Sequence, residues 1–476
     1  MITAHLVEDV RRAELAAMAR LPPGTLMQRA AAALDVACAQ ALRDATGGIV
    51  GRAVVVLVGS GDNGGDALFA AGRLARRGAA VTALSTAERV HDEGARAARR
   101  AGVRLRAWRA GDEDVCAAAD LLIDGIAGIG GRGGLRPPFE GLVALDGPVV
   151  VAVDIPSGLD ADSGTVTGEV MAADLTVTFG TAKPAHLLGP AAGLCGRLLV
   201  VDIGLSDLPA PAVERVEPAD VAARWRRARP TDDKYSRGVV GVVAGGPDYT
   251  GAAVLAVEAA VRAGAGMVRY LGPEHPTEIV RQRRPEAVVG AGRVQAWVLG
   301  PGVSPDDPAQ QRIREALASG EPAVVDAGAL ADLPDALGPQ HVLTPHAGEL
   351  ARLLGAWRAD VEADPLRHAR RLHERTGATV LVKGSVTTVV GDRVLTAAAA
   401  PDWLSTAGAG DVLAGILGAA LAGRPGGDPA QTAADAAVLH GWAATLASAG
   451  GPLSALDVAD AVPAALTSLP GWDVRA

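Results

Sequence analysis

The sequence is short of lysine, of cysteine and of any long apolar run, and each shortage narrows what the chain can be. Only three of its 45 basic residues are lysines, Lys183, Lys234 and Lys383, and the rest are arginines. Arginine offers a flat multidonor fork and lysine a compact point charge, so such a chain keeps a lysine either by chance or where a point charge is needed. The three cysteines, Cys38, Cys116 and Cys195, lie far apart among apolar or small residues, as in DVACAQAL and AGLCGRLL. That pattern argues against a disulfide framework or thiolate cluster and predicts buried free thiols. The opening residues MITAHLVEDVRRAELAAM carry charges throughout, and no later stretch spans a bilayer without a charge, Gly or Pro. A cytoplasmic protein with no membrane partner is expected. The formal net charge of -9 leaves no case for a broad basic face, so no nucleic-acid partner is expected.

What the chain has is apolar material and glycine. With 476 residues, 49% hydrophobic and 21% charged, it exceeds one ordinary core and predicts two globular domains. Its 60 glycines can expose backbone amides to small anionic ligands. The segment up to about Arg43 has helical spacing behind the turn Pro22-Pro23-Gly24-Thr25. Short apolar runs then alternate with helix-compatible stretches: AVVVLVG (53–59), AAVTAL (79–84), DLLIDGI (120–126), PVVVAVDI (148–155), DLTVTFG (174–180) and GRLLVVDIG (196–204). Such alternation predicts a mostly parallel sheet covered on both faces. SDLPAPAVERVEP (206–218), with three prolines and no periodicity, reads as a connection. A second alternating series runs from GVVGVVAGG (238–246) to a helical end. The expected organisation is therefore two α/β domains, 1–217 and 218–476.

Three successive strand ends in the first domain carry acids or amides beside glycines. VGSGDNGGD (58–66) follows a strand and precedes the helical stretch ALFAAGRLARRG; Asp124 closes LLID ahead of GIAGIGGRGGLR; Asp154 and Ser157 close VVVAVDIPSG. The first loop alone suits either an anion-receiving turn or a plain tight turn with Asp66 as helix cap. Oxygens of Asn63, Asp124 and Ser157 together suit a hard cation. In the second domain, LSTAGAGDVLAGILGAALAG (404–423) sets small residues and Asp411 at a helix start. Amides there form an anion hole and an aspartate there is placed to take a proton from an attacking hydroxyl, although Asp also favours the first turn of any helix.

The motifs GSGDNGGD, DGIAGIGGRGG and DIPSGLD resemble, in order and spacing, those of the NAD(P)H-hydrate epimerase family, which implies a Rossmann-like fold. The resemblance implies hydrated-nucleotide contacts at Asp62, Asn63, Gly64, Gly65 and Asp66, at Gly128, Ile129, Gly130, Gly131, Arg132, Gly133 and Gly134, and at Asp154, with Asp154 also catalytic. It implies a potassium ion held by Asn63, Asp124 and Ser157. One departure is Asp62, where the family has Asn; a carboxylate beside an anionic ligand is unfavourable, so Asp62 is expected to act through its backbone.

KYSRGVVGVVAGG, YTGAAVLAVEAAVRAGAG, LGPG, LTPHAGEL, LVKGSVT and TAGAGDVLAG resemble, in sequence order, the NAD(P)H-hydrate dehydratases of the ribokinase-like superfamily. This implies a ribokinase-like α/β fold in which Ala253, Gly302, His346 and Asp411 contact the hydrated dinucleotide and Asp411 is the catalytic base. Lys383, Gly384, Ser385, Val386, Thr387 and Gly410 would contact the adenine nucleotide, with Mg2+ on its phosphates and Glu349 an indirect ligand. For His346 the plain alternative is a turn residue after Pro345, and for Lys383 an exposed strand-end residue. Together the resemblances imply a bifunctional isomerase and lyase that repairs hydrated NADH and NADPH, with ADP as co-substrate giving AMP and phosphate. A homo-oligomer is expected. Two other readings compete: a ribokinase-like vitamin kinase, and an N-terminal half that only senses nucleotide or binds protein. His346 in the usual Asn position and KGSVT favour the dehydratase; the set Asn63, Asp124, Asp154 and Ser157 favours catalysis in the N-terminal half.

Overall fold

The computed structural model describes residues 1–473 apart from Arg132 and Ala399. The chain divides into two compact units, Thr3–Val213 and the chain from Glu214 onward, the latter including Met1–Ile2. In the first, seven parallel strands lie in the order Arg104–Ala107, Ala80–Ser85, Ala53–Val58, Leu121–Gly125, Val149–Val153, Leu175–Phe179 and Arg197–Val201. The interior strand AVVVLV is apolar throughout because both of its faces are covered. Val54, Val56 and Val58 pack with Leu34, Leu42, Leu68 and Leu74 of helices Thr25–Thr46 and Asp62–Arg76. Val55 and Leu57 pack on the other side with Cys116, Leu122 and Leu142. From Ala53–Val58 the chain winds outward to one edge, then returns to place Leu121–Gly125 on the strand's other side. That reversal opens a crevice at the carboxyl ends of these two strands, where open α/β sheets take their ligands.

One local expectation shifts. The helix after the first glycine loop begins at Asp62, not at Ala67, so Asn63, Gly64, Gly65 and Asp66 form its first turns. Glycine normally weakens a helix, but here it permits close approach. A Cβ on Gly64 would collide with the Gly59 carbonyl, and one on Gly65 would stand 3.0 Å from the His91 ring. Asp66 is thus a buried residue within the helix and not its cap.

In the second unit the strands run Val213–Arg215, Val394–Ala397, Thr387–Val390, Thr379–Val382, His341–Leu343, Ala323–Val325, Ala296–Leu299, Val239–Val243, Met267–Tyr270 and Val288–Val289. They are parallel except where Thr387–Val390 pairs antiparallel with both of its neighbours. Val240, Val242, Val298, Val324 and Val342 face helices Thr250–Arg262, Ala409–Ala422, Pro429–Ser448 and Ala455–Ser468. Val243, Leu299, Val325, Leu343 and Val380 face Ala309–Ala318, Ala347–Leu354 and Pro365–Thr376. Helix Ala409–Ala422 is buried along nearly its whole length, and its glycines are what let it fit: a Cβ on Gly415 would strike the Ala256 carbonyl, and one on Gly418 would strike Val298.

All three cysteines are buried and free, and among the described residues no helix is long and apolar enough to cross a membrane. Because Gly415 sets how closely the helix bearing Asp411 approaches Thr250–Arg262, Gly415→Val should overpack this contact. A loss of about 1–3 kcal/mol is expected in the urea unfolding of the C-terminal unit.

Candidate active sites

In the first unit the strand-end residues meet. Asp124, with no exposed surface, accepts hydrogen bonds from the Ser157 amide (2.7 Å), the Ser157 hydroxyl (2.6 Å) and the Ile126 amide (3.2 Å). The Ser157 hydroxyl oxygen in turn accepts from the Ala127 amide at 3.0 Å. Burial drives the Asp124 carboxyl up to about 6 against the pull of these donors, and no cationic side chain among the described residues pairs with it. Asn63 stands beside the same turn: a Cβ on Gly128 would lie 3.1 Å from its side-chain oxygen, and its buried Nδ2 has no partner. The donor set is thus an amide oxygen, a carboxylate and a hydroxyl around a buried negative charge that lacks a counter-ion. It fits a potassium ion.

One strand over, Asp154 follows Val149–Val153 with a φ of 66°. Its Oδ1 accepts from Lys183 Nζ at 2.5 Å and from the Thr178 hydroxyl at 2.8 Å. The ring of His186, which accepts the Lys183 amide at 3.0 Å, lies with Nε2 2.9 Å from the Asp154 carbonyl. Lys183 is 1% exposed. Burial opposes ionisation of Asp154, but the charge and hydrogen bond of Lys183, with His186 and Thr178, outweigh it and hold the carboxyl below its ordinary value.

Next to this pair is a cavity of about 520 Å³, lined in part by Glu14, Asp62, Asp66, His91, Phe69 and Phe179. Burial, reinforced by Asp154, Asp62 and Glu14, drives the Asp66 carboxyl well above its usual range, and its Oδ1 has no partner. Glu14 is raised by burial and by the charges of Asp154 and Asp62, while Lys183 and Arg11 pull it down. It is half-buried on helix Val7–Met18, whose buried residues are Val7, Val10, Ala13 and Ala17. Asp62 is exposed at the helix start, and Gly128–Gly131 form a turn; Ile129 packs against Ile155 and Leu159, and Gly134 bonds the Gly158 carbonyl. Arg132 lies outside the described residues.

In the second unit Lys383, Asp326 and the start of helix Ala409–Ala422 converge. Lys383 Nζ donates to Asp326 Oδ1 at 2.7 Å and lies 4.0 Å from Glu349 Oε2. Thr344 donates to the same Asp326 oxygen at 2.8 Å. A Cβ on Gly410 would lie 3.3 Å from Lys383 Nζ, so glycine is what lets the ammonium approach the helix start. Asp411, in the first turn, is pushed up to about 7, first by burial and then by Asp326, against Lys383. His440 is buried behind this turn, against the Ala409 backbone, with burial holding it down to about 4.

His346 caps helix Ala347–Leu354: its Nδ1 accepts from the amides of Gly348 (3.0 Å) and Glu349 (3.2 Å), and Glu349 returns a bond to the His346 amide at 2.9 Å. The imidazole as a whole stays half exposed, with Nε2 3.6 Å from Glu349 Oε1. Gly384, Ser385 and Val386 form the bend between strands Thr379–Val382 and Thr387–Val390. Gly302 has a φ of 66° and packs against Ala252 and the backbone of Tyr249. Ala253 is fully buried, with its methyl beside Gly245 in the glycine loop that follows strand Val239–Val243. Sequence reading did not single out Asp326, and it flagged Lys183 only through lysine scarcity. Of the three lysines, Lys183 is buried and Lys383 half-buried, each against an aspartate, while Lys234 is exposed.

Two α/β units, one of them ribokinase-like, each presenting aspartates and glycine amides at strand ends, define a nucleotide-handling enzyme with two separate sites. The sequence profile of the NAD(P)H-hydrate dehydratases matches residues 240–462, and that of the YjeF-related protein N-terminus matches residues 23–185. A bifunctional NAD(P)H-hydrate repair enzyme of Mycobacterium tuberculosis is 47% identical over 446 residues, covering 90% of each chain. One of Escherichia coli is 33% identical, covering 94% of this chain and 90% of its own. An ADP/ATP-dependent NAD(P)H-hydrate dehydratase from Bacillus subtilis, co-crystallised with ATP and Mg2+, superposes with a TM-score of 0.51 at 25% identity, covering 54% of this chain and 99% of that one. The chain belongs to the bifunctional NAD(P)H-hydrate repair enzymes.

The Lys183–Asp154 geometry sets a pH-dependent expectation. Lys183 lowers the Asp154 carboxyl, so Lys183→Met should raise it. Epimerisation at neutral pH should fall at least about a hundredfold, with the residual activity recovering as pH rises, measured as interconversion of separated epimers.

Proposed function

We propose that the two sites act in series on hydrated NADH and NADPH: the N-terminal site interconverts the R and S epimers, and the C-terminal site returns the S form to NAD(P)H with ADP, releasing AMP and phosphate. The observation that carries this reading is the setting of Asp411, a carboxyl of near-neutral affinity at a helix start, with Lys383 against the adjacent Gly410.

In the dehydratase step Asp411 takes the proton of the ring hydroxyl as its oxygen attacks the terminal phosphorus of ADP. The P–O bond to the AMP portion breaks in the same displacement. Lys383 and the amides around Gly410 stabilise the charge that develops on the transferred group. Hydroxide is a poor leaving group and phosphate a good one. The ring nitrogen's electron pair expels phosphate, and loss of a proton from the neighbouring carbon restores the dihydropyridine. Lys383 to Thr387 hold the adenine nucleotide, and Gly302 and His346 hold the hydrated dinucleotide. Magnesium, when bound, neutralises the nucleotide's phosphates, mainly through phosphate and water ligands. Glu349 fits only an indirect role, since one of its oxygens caps the His346 amide.

In the epimerase, the carbon to be inverted bears both the hydroxyl and the ring nitrogen. One of these bonds must open and re-form on the opposite face, which requires a proton to move. Asp154, kept ionised by Lys183, is the group that accepts and returns it. The lining acids Glu14, Asp62, Asp66 and Glu93 make the adjacent cavity unsuited to phosphate and suited to the uncharged hydroxylated ring and its ribose. The phosphates go to the start of helix Asp62–Arg76 and the neighbouring glycine turn at Gly128–Gly131, and a potassium ion on Asn63, Asp124 and Ser157 would offset part of their charge.

Because the sites lie in separate compact units, substitutions in them should act independently. Asp411→Asn should slow dehydration at least about a hundredfold and leave epimerisation intact. Asp124→Ala should leave dehydration of the S form normal but make recovery of NADH absorbance from mixed epimers biphasic, the second phase running at the spontaneous rate. Equal loss of both phases would contradict the assignment. ADP should outperform ATP as donor in the same assay; equal or faster turnover with ATP would overturn that part.

A further inference from the structure

Strands Ala323–Val325, His341–Leu343 and Thr379–Val382 lie side by side, and the residue following each, Asp326, Thr344 and Lys383, points into one cluster. Asp326 is 1% exposed, and Oδ1 accepts both Lys383 Nζ and the Thr344 hydroxyl. Its second oxygen faces the catalytic helix: a Cβ on Gly410 would lie 3.8 Å from Asp326 Oδ2. The next residue, Ala327, has a φ of 46°, a left-handed conformation that a non-glycine residue rarely adopts, at the point where the chain turns away from the cluster.

We infer that Asp326 is a positioning residue for the dehydratase. It fixes the Lys383 ammonium against Gly410, where the transferring phosphoryl group must sit, and it sets the charge environment in which Asp411 takes the substrate proton. The inference rests on the assignment of Asp411 as base. A buried lysine without a fixed partner would have many directions in which to point and a strong tendency to lose its proton. Asp326 opposes both, since it and Glu349 help hold Lys383 charged against the cost of its burial. The same carboxylate adds to burial in raising Asp411, while Lys383 pulls Asp411 down. Of the other titratable groups nearby, Glu349 faces Lys383, and His440, on helix Pro429–Ser448, is held neutral by burial. The charges acting on Asp411 are therefore Asp326 and Lys383, with opposite signs.

That opposition gives the test. In the full-length enzyme, the rate of dehydration of the S-hydrate with ADP should rise with pH through an acidic limb near 7, the point to which Asp411 is raised. Asp326→Asn removes a negative charge beside Asp411, so the limb should move down by about one pH unit, with KM for ADP raised roughly tenfold as Lys383 loses its anchor. Lys383→Met removes a positive charge, so its residual activity should show a limb moved up. Circular dichroism and the urea unfolding of the C-terminal unit in the same preparations report whether each variant is folded. A merely structural role would lower the rate without moving the limb in opposite directions. Limbs that stay in place, or move the same way in both variants, would overturn the inference, as would an unchanged KM for ADP in Asp326→Asn. If Asp326→Asn fails to fold, Asp326→Glu, which keeps the charge but shifts the anchor, should raise KM for ADP and leave the limb near 7; a displaced limb would count against the proposal. Asp411→Asn, run alongside, separates the two readings: if it retains turnover, the base assignment itself fails, whatever Asp326 does.

Discussion

A carboxylate taken out of water at the end of a parallel strand must be given a partner, and both units of this protein meet that requirement at their active sites with the same pair of residues. Asp154 follows Val149–Val153 and meets Lys183; Asp326 follows Ala323–Val325 and meets Lys383. In each case a threonine hydroxyl donates to the same oxygen, Thr178 in the first and Thr344 in the second. Low dielectric makes such a pair strong only when the remaining lone pairs are also satisfied, and breaking it strands a charge. The arrangement is therefore stiff, and it holds each lysine at a defined place, which in the second unit lies against Gly410.

The two pairs do opposite things with the same physics. At Asp154 the lysine outweighs burial and keeps the aspartate itself ionised. At Asp326 the pair stands next to a second aspartate, and it is Asp411, less tightly partnered, that ends near neutrality. One unit thus presents a charged carboxylate beside a chamber of carboxyls raised by burial, and the other a poised carboxyl beside a fixed cation. Such divergence of neighbouring carboxyls is the usual mark of acid–base work in a site.

Glycine supplies the remaining geometry. At Gly64 and Gly65 the missing side chains let a helix begin directly above the strand end, and at Gly410 the gap admits an ammonium group to the helix start. Asp124 is buried without a counter-ion among the described side chains, its oxygens held by neutral donors from Ser157 and Ile126.

Much of this was legible from residue order. Apolar runs of strand length separated by helical stretches specify a parallel sheet, because only strands covered on both faces read that way, and the glycine-rich strand ends mark where ligands approach. The scarcity of lysine marked Lys183, Lys234 and Lys383 alike, as positions kept either by chance or for a point charge, and only the first and last of them meet an aspartate. Position along the chain said nothing of Asp326, which carries no glycine motif and resembles any strand-end aspartate until Lys383 and Thr344 are brought beside it. Nor did it predict that Glu14 lines the cavity beside Asp66, or that the helix after the first glycine loop begins at Asp62. Local pattern determines which segments become strands and helices. Which carboxylates lose their water, and which cation each then meets, depends on residues far apart in the chain, and only the packed tertiary structure decides that.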